Sequence, residues 1–186
     1  MATTTVDICN MALSKIGELP IINVNDDEKT ARLCNLFYQS ICDYVLRENN
    51  WNCAIAREEL GQLSSTPAYG YDYEYQLPID CLKVLEMYPD AEYKIEGRKL
   101  LTDQESVHIK YIKRLSTPAN MDFHLVQAIA TRLAAAIVKD ITGSTSEKGN
   151  LLVEYQEWIN DAVLSNAIEH EDREKGSTLW IDEGIG

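Results

Sequence analysis

Apolar residues recur at helical spacing in four stretches of this chain, and between them the pattern changes to alternation and turn signals. Val6, Cys9, Leu13 and Ile16 form one stripe and predict a helix over 3–17. Thr4 or Thr5 can cap its start, and Gly17 with Pro20 ends it. The acidic run Asp26-Asp27-Glu28 suits a helix N-terminus, where carboxylates oppose the positive end of the dipole. It predicts a second helix over 27–49, with Ala31, Cys34, Phe37, Tyr38, Ile41, Val45 and Leu46 facing inward. Asn49-Asn50 ends that helix, and Trp51 is expected to fold back as a core plug.

Residues 52–115 read differently. Ser64-Ser65-Thr66-Pro67 is a loop, and a tyrosine-rich stretch follows. Residues 82–88 predict a strand with Leu82, Val84 and Leu85 inward, and Pro89-Asp90 turns the chain. Residues 92–96 and 98–102 predict a hairpin around Glu96-Gly97. Another strand follows, in which Val107, Ile109 and Tyr111 alternate with His108, Lys110 and Ile112. Together these predict a small antiparallel sheet inserted between helical pairs. Pro118 then opens a third helix, over 119–142, with Phe123, Val126, Ala130, Leu133, Ala134 and Ile137 as its inward stripe. The run Ala134-Ala135-Ala136 permits close helix approach. Thr142-Gly143-Ser144 breaks it. A fourth helix is predicted over 145–173, with Leu152, Tyr155, Trp158, Ile159, Ala162 and either Leu164 or Ile168 in contact. The expected fold is α+β, mainly α: a four-helix arrangement with a small antiparallel β-sheet insertion and an extended C-terminal arm. Residues 1–175 make one domain and 176–186 make the arm.

The arm carries Leu179, Trp180, Ile181 and Ile185. A loose terminus is usually polar. Apolar anchors on a short arm are what a docking peptide needs, and the competing reading is that the arm folds back on its own subunit. Tyr69, Tyr71, Tyr73 and Tyr75 fall on one face if their segment is extended. That face is core, subunit interface or solvated loop.

Composition narrows the classes. The chain has 186 residues, 45% of them apolar, which is enough for one domain with a core. A net charge of −13 repels phosphate and argues against specific nucleic-acid binding, while suiting a surface past which DNA slides. Cys9, Cys34, Cys42, Cys53 and Cys81 are odd in number and form no CxxC, so they read as buried thiols in a reducing cytosol. His108, His124 and His170 are scattered, so no metal is expected. The N-terminus lacks a signal-peptide pattern, and no run approaches a membrane span.

Two segments carry a family resemblance. One is Ala12-Leu13-Ser14-Lys15-Ile16-Gly17-Glu18-Leu19-Pro20-Ile21, followed by the acidic loop and a long helix closing at Asn50-Trp51-Asn52. The other is Tyr75-Gln76-Leu77-Pro78-Ile79-Asp80-Cys81-Leu82. In this order, across about residues 1–170, they resemble the tail tubular protein A family of podoviruses, the head-to-tail adaptors of short-tailed bacteriophages. The resemblance implies a structural virion protein in the neck of the tail, assembled in the host cytoplasm as a ring of twelve. The ring sits between the portal protein and the tail nozzle protein, and DNA passes through it. No cofactor is expected, and the resemblance places the C-terminal arm against the portal. Leu179, Trp180 and Ile181 match that arm in order only.

Other classes have weaker signatures. There is no GxSxG, no HExxH and no phosphate-cradling glycine loop, so no catalytic residue is assigned. A tail-associated peptidoglycan hydrolase needs two carboxylates, for which Glu58-Glu59 or Glu74 with Asp72 are the candidates. A helix-turn-helix regulator needs a basic footprint, and Lys110, Lys113 and Arg114 are too few. A head-completion or stopper protein of a longer-tailed phage is the structural alternative.

Overall fold

The computed structural model describes residues 3–178, with side chains described as far as residue 166. The fold is α+β and mainly α, with 48% helix and 20% strand. The chain forms two compact units, one made of residues 1–45 and 117–186 and the other of the intervening 46–116. The insertion expected at 52–115 is therefore a compact unit of its own, beginning within the last turn of the second helix.

The first unit is helical. Helix α1, Thr5–Lys15, is closed at both ends by its own sequence. Thr4 and Asp7 form a reciprocal capping box, in which the Thr4 hydroxyl accepts from the Asp7 N–H and the Asp7 carboxylate accepts from the Thr4 N–H. At the other end Gly17 sits at φ +75°. The Glu18 N–H reaches the Leu13 carbonyl and the Gly17 N–H reaches that of Ser14. This pairing satisfies two of the orphan carbonyls. Helix α2, Lys29–Glu48, starts two residues later than expected. The acidic run is spent in the preceding loop, where the Asp26 carboxylate accepts from the Asn23 N–H.

Helix α3, Phe123–Thr142, is the most buried element of this unit. Leu125, Val126, Ile129, Leu133, Ile137 and Val138 are all buried, and so are Ala128, Ala130, Ala134 and Ala135. A helix apolar beyond one stripe has neighbours on several sides. Pro118 opens only a short 3-10 turn, Pro118–Asn120, and Asp122 caps α3 by accepting from the Leu125 N–H. Helix α4 runs Ser146–Thr178, so the first residues of the expected arm continue the helix. Its inward face is Leu151, Tyr155, Ile159 and Ala162. Of the alternatives Leu164 and Ile168, Leu164 is exposed, because two residues beyond Ala162 amount to more than half a helical turn, and the side chain of Ile168 lies outside those described. The core joins Cys9, Ala12 and Leu13 to Ala31, Cys34, Leu133, Ile137 and Leu151. Between α2, α3 and α4 the Arg132 guanidinium lies 4.8 Å from the Tyr44 ring centre and 5.5 Å from that of Tyr155.

The second unit holds two three-stranded antiparallel sheets where one was expected. Its strands are β1 (Ile55–Glu59), β2 (Tyr73–Gln76), β3 (Cys81–Tyr88), β4 (Tyr93–Glu96), β5 (Lys99–Thr102) and β6 (His108–Lys113). They pair in the orders β1-β6-β3 and β2-β5-β4. The expected hairpin is β4–β5, closed by Gly97-Arg98 with Gly97 at φ +61°. Strand β3 departs from simple alternation. Register shifts after Cys81 and after Val84 make Cys81, Val84 and Met87 oppose Lys113, Tyr111 and Ile109. Each bulge inserts one residue, so the inward positions recur every third residue. That is why Cys81 and Met87 are buried while Leu82 and Leu85 are only half-buried.

Candidate functional site

The helical unit presents apolar side chains to solvent in several places, Leu36, Val153 and Val163 among them, and two of these places have a defined local structure. The first is the loop after α1. Asn10 holds it from both sides: its Nδ2 donates to the Ile21 carbonyl at 3.1 Å, and its Oδ1 accepts from the Ile21 N–H at 2.8 Å. Ile21 is thereby buried, and its neighbours Leu19 and Ile22 are 82% and 91% exposed. Asn10→Ala removes both bonds and is expected to lower stability by about 1–3 kcal/mol. The check is the urea midpoint, together with faster amide exchange at residues 18–22.

The second feature is aromatic. Phe123, expected on the buried stripe of α3, is 63% exposed. The helix begins at Phe123 itself, so this ring sits at the end of the stripe and packs sideways. It meets Trp158 of α4 edge-on, with centroids 5.8 Å apart at 80°. His124 lies 6.4 Å from the same indole. Such tilted aromatic contacts are favourable geometries. Trp158 Nε1 donates to the Glu154 carboxylate, which also pairs with Lys15 of α1. The Glu154 carboxylate beside the patch is thus already engaged.

In the strand unit the tyrosines divide. Tyr75 is 1% exposed, with its hydroxyl donating to the Gln104 carbonyl at 2.6 Å. Tyr73 packs against the same core, and its hydroxyl reaches Glu105. Tyr69 is 89% exposed. Tyr69 and Tyr71 line a groove of about 330 Å³ together with Glu74, Lys94, Glu96 and Lys99. The four tyrosines therefore share no single face. Only residues 73–76 are a strand, and Gly70 at φ +90° redirects the chain before them.

Glu74 is nearly buried and accepts from the Ser65 hydroxyl and from Lys99 Nζ at 2.9 Å. These bonds, Ser65 first, hold its carboxyl below the ordinary value of 4.5. A carboxylate with a depressed pKa stabilises the fold above the unfolded value, and that contribution is lost as pH falls through the folded one. Glu74→Gln is expected to lower the melting temperature at neutral pH and to flatten its fall on acidification. Parallel melting curves for both proteins down through acid pH would contradict this.

The carboxylate pairs proposed for hydrolysis do not converge. Glu58 and Glu59 are successive on β1, so their side chains point to opposite faces. Glu74 is held by Lys99 and lines one groove, whereas Asp72 lines another. The pair that does converge was not evident from spacing. Glu58 and Asp80 approach the Tyr111 hydroxyl at 3.1 and 3.3 Å, from a strand and a turn far apart in sequence. Burial, with these carboxylates, raises the Tyr111 pKa and keeps it a neutral donor. Of the basic residues weighed for DNA, Lys110 is paired with Glu86 at 2.8 Å.

The five cysteines are thiols, and Cys9, Cys34, Cys42 and Cys81 are buried. A hydrogen bond with Cys34, and burial, raise the Cys9 thiol, and burial pushes Cys42 up to about 12. Reactivity follows the thiolate. A maleimide at neutral pH is expected to modify the half-buried Cys53 first, and early labelling of Cys9 or Cys42 would refute this. Among the described residues no three His, Cys, Asp or Glu side chains gather as a metal site, and no helix is long and apolar enough to cross a membrane. Leu179, Trp180, Ile181 and Ile185 lie outside the described residues.

Set beside known proteins, the chain matches no family model and no curated protein.

Proposed function

We propose that this chain is a head-to-tail adaptor subunit of a short-tailed bacteriophage, a structural virion protein and not an enzyme. Twelve copies form a ring between the portal protein and the tail nozzle protein, and DNA passes through it. The observation that supports this most is the ordered layout of the chain. A capped helix and a long helix lead to the buried Trp51, a β unit is inserted, and two helices complete the first unit. The second resemblance segment has a structural role that fits such a layout. Leu77-Pro78-Ile79-Asp80 links β2 of one sheet to β3 of the other. Pro78 accepts from the Cys81 N–H and from Arg98, and Asp80 accepts from the Arg114 N–H through its carbonyl.

Two further facts agree with the reading. The charge of −13 disfavours adhesion to DNA in transit. The helical unit exposes apolar side chains in several separate places, and a ring is built by joining unlike patches of successive copies. The test is to mix the purified protein with the portal ring of its phage and image the particles. Rings of the protein capping the portal are expected. No binding, together with clearing of purified peptidoglycan, would replace the adaptor with a hydrolase.

A further inference from the structure

Register builds a groove on the face of sheet β2-β5-β4 that is turned away from its core. Glu74 and Lys94 both oppose Leu101, and Glu96 opposes Lys99 in the next row. Neighbours in register share a face, so these five side chains stand together, while Tyr75 and Leu100 point the other way into the core. Residues 67–71 run along this face and add Tyr69 and Tyr71 to a groove of about 330 Å³. Gly70, at φ +90°, makes the turn between the two tyrosines that lets both line it. Small-molecule sites run from about 300 to 1,000 Å³, so the groove suits a small ligand or one end of a longer one. Its floor keeps hydrogen-bonding capacity in reserve. Ser65 and Lys99 both donate to Oε1 of the nearly buried Glu74, and among the described residues no donor meets Oε2. Lys99 and Lys94 each spend a donor on a carboxylate, that of Glu74 and that of Glu96, and an ammonium group has three.

This combination selects a ligand class. Two phenol rings favour a partner with a weakly polar face. The free Glu74 oxygen calls for a donor, and the two ammonium groups call for acceptors. Two carboxylates and two ammonium groups cancel locally, so neither a cation nor an anion gains by entering. The charge of −13 further disfavours a phosphate-bearing ligand such as a nucleotide. A purely apolar segment would cover the rings and leave the charged floor without partners. A neutral sugar meets every requirement, because its C–H face covers a ring and each hydroxyl both donates and accepts. We propose that this groove of the strand unit binds a neutral saccharide, with Tyr69 and Tyr71 against the sugar ring and Glu74, Lys94 and Lys99 holding its hydroxyls. The site binds and does not cleave. Ser65 and Lys99 keep Glu74 ionised and Lys94 pairs with Glu96, whereas breaking a glycosidic bond needs a carboxylic acid to protonate the leaving oxygen. Binding here requires neither a ring of copies nor a portal.

Titration of the isotope-labelled full chain with cellotetraose, maltotetraose and chitotetraose, followed by NMR, tests it. At least one tetrasaccharide should bind saturably, shift the amides of Lys94, Glu96, Lys99 and Leu101, and be recovered intact. Tyr69→Ala removes an exposed ring and leaves the fold in place, and it should weaken binding at least about tenfold. Lys94→Ala, on the edge strand β4, should weaken it about twofold to tenfold. No saturable binding of any of the three up to about 10 mM, beyond the millimolar end of the affinity scale, overturns the proposal. So does binding that Tyr69→Ala leaves unchanged, because the sugar would then sit elsewhere. If a proline-rich peptide shifts the same amides and no tetrasaccharide does, the groove is a peptide site and the proposal fails. Release of shorter sugars would overturn the assignment of binding without cleavage.

Discussion

Tyr75→Ala is expected to lower the stability of the strand unit by about 3–5 kcal/mol, whereas Tyr69→Ala changes it by less than about 0.5 kcal/mol. The two residues belong to one tyrosine repeat, and burial separates them. Tyr75 opposes Leu100 on the core face of β2–β5 and packs with Leu77, Val107 and Ile109. Alanine leaves a ring-sized void and orphans the Gln104 carbonyl. Tyr75→Phe separates the two terms, because it keeps the volume and removes only the hydroxyl, at about 1–3 kcal/mol. Urea titrations of the three variants provide the measurement. A loss at Tyr69 as large as that at Tyr75 would mean that the exposed ring is held by contacts the fold does not contain.

The tyrosine repeat also illustrates what could be read from the chain. Element type and order were legible from local signals, such as Thr4 at the start of α1, Gly17 after it and Gly143 after α3, whereas Asp122, which caps α3, was hidden behind Pro118. The inward face of α2 was legible from periodicity, since Ala31, Cys34, Val45 and Leu46 repeat at helical spacing and are buried. Alternation failed in β3, where two bulges stretch the inward period to three and bury Met87 in place of Leu85. A bulge depends on the partner strand, which local pattern does not encode. The division into two sheets failed to show for a similar reason, since strand partnership is non-local. Contacts made across long separations were also hidden. Asn10 clamping Ile21 and Tyr111 gathering Glu58 with Asp80 leave no trace in spacing. Phe123 shows that a correct helical phase does not guarantee burial, because a stripe ends where the neighbouring elements end.

For the helical unit, Leu133→Ala is expected to lower stability by about 2–5 kcal/mol. Leu133 is fully buried midway along α3, in a core shared with Leu13, Cys34, Ile137 and Leu151. These neighbours belong to four different helices, so the void left by truncation cannot close by moving any one of them, which favours the upper part of that range. Phe123→Ala on the same helix should cost about 1 kcal/mol or less, because it gives up an edge contact with Trp158 and little burial. Hydrogen exchange adds location to magnitude. Leu133→Ala should speed exchange across α3, whereas Tyr75→Ala should speed it across β2 and β5. Under native conditions, α3 losing protection in Tyr75→Ala as much as in Leu133→Ala would mean that the two units open as one cooperative block. Protection lost only within the mutated unit would mean that each unit opens on its own.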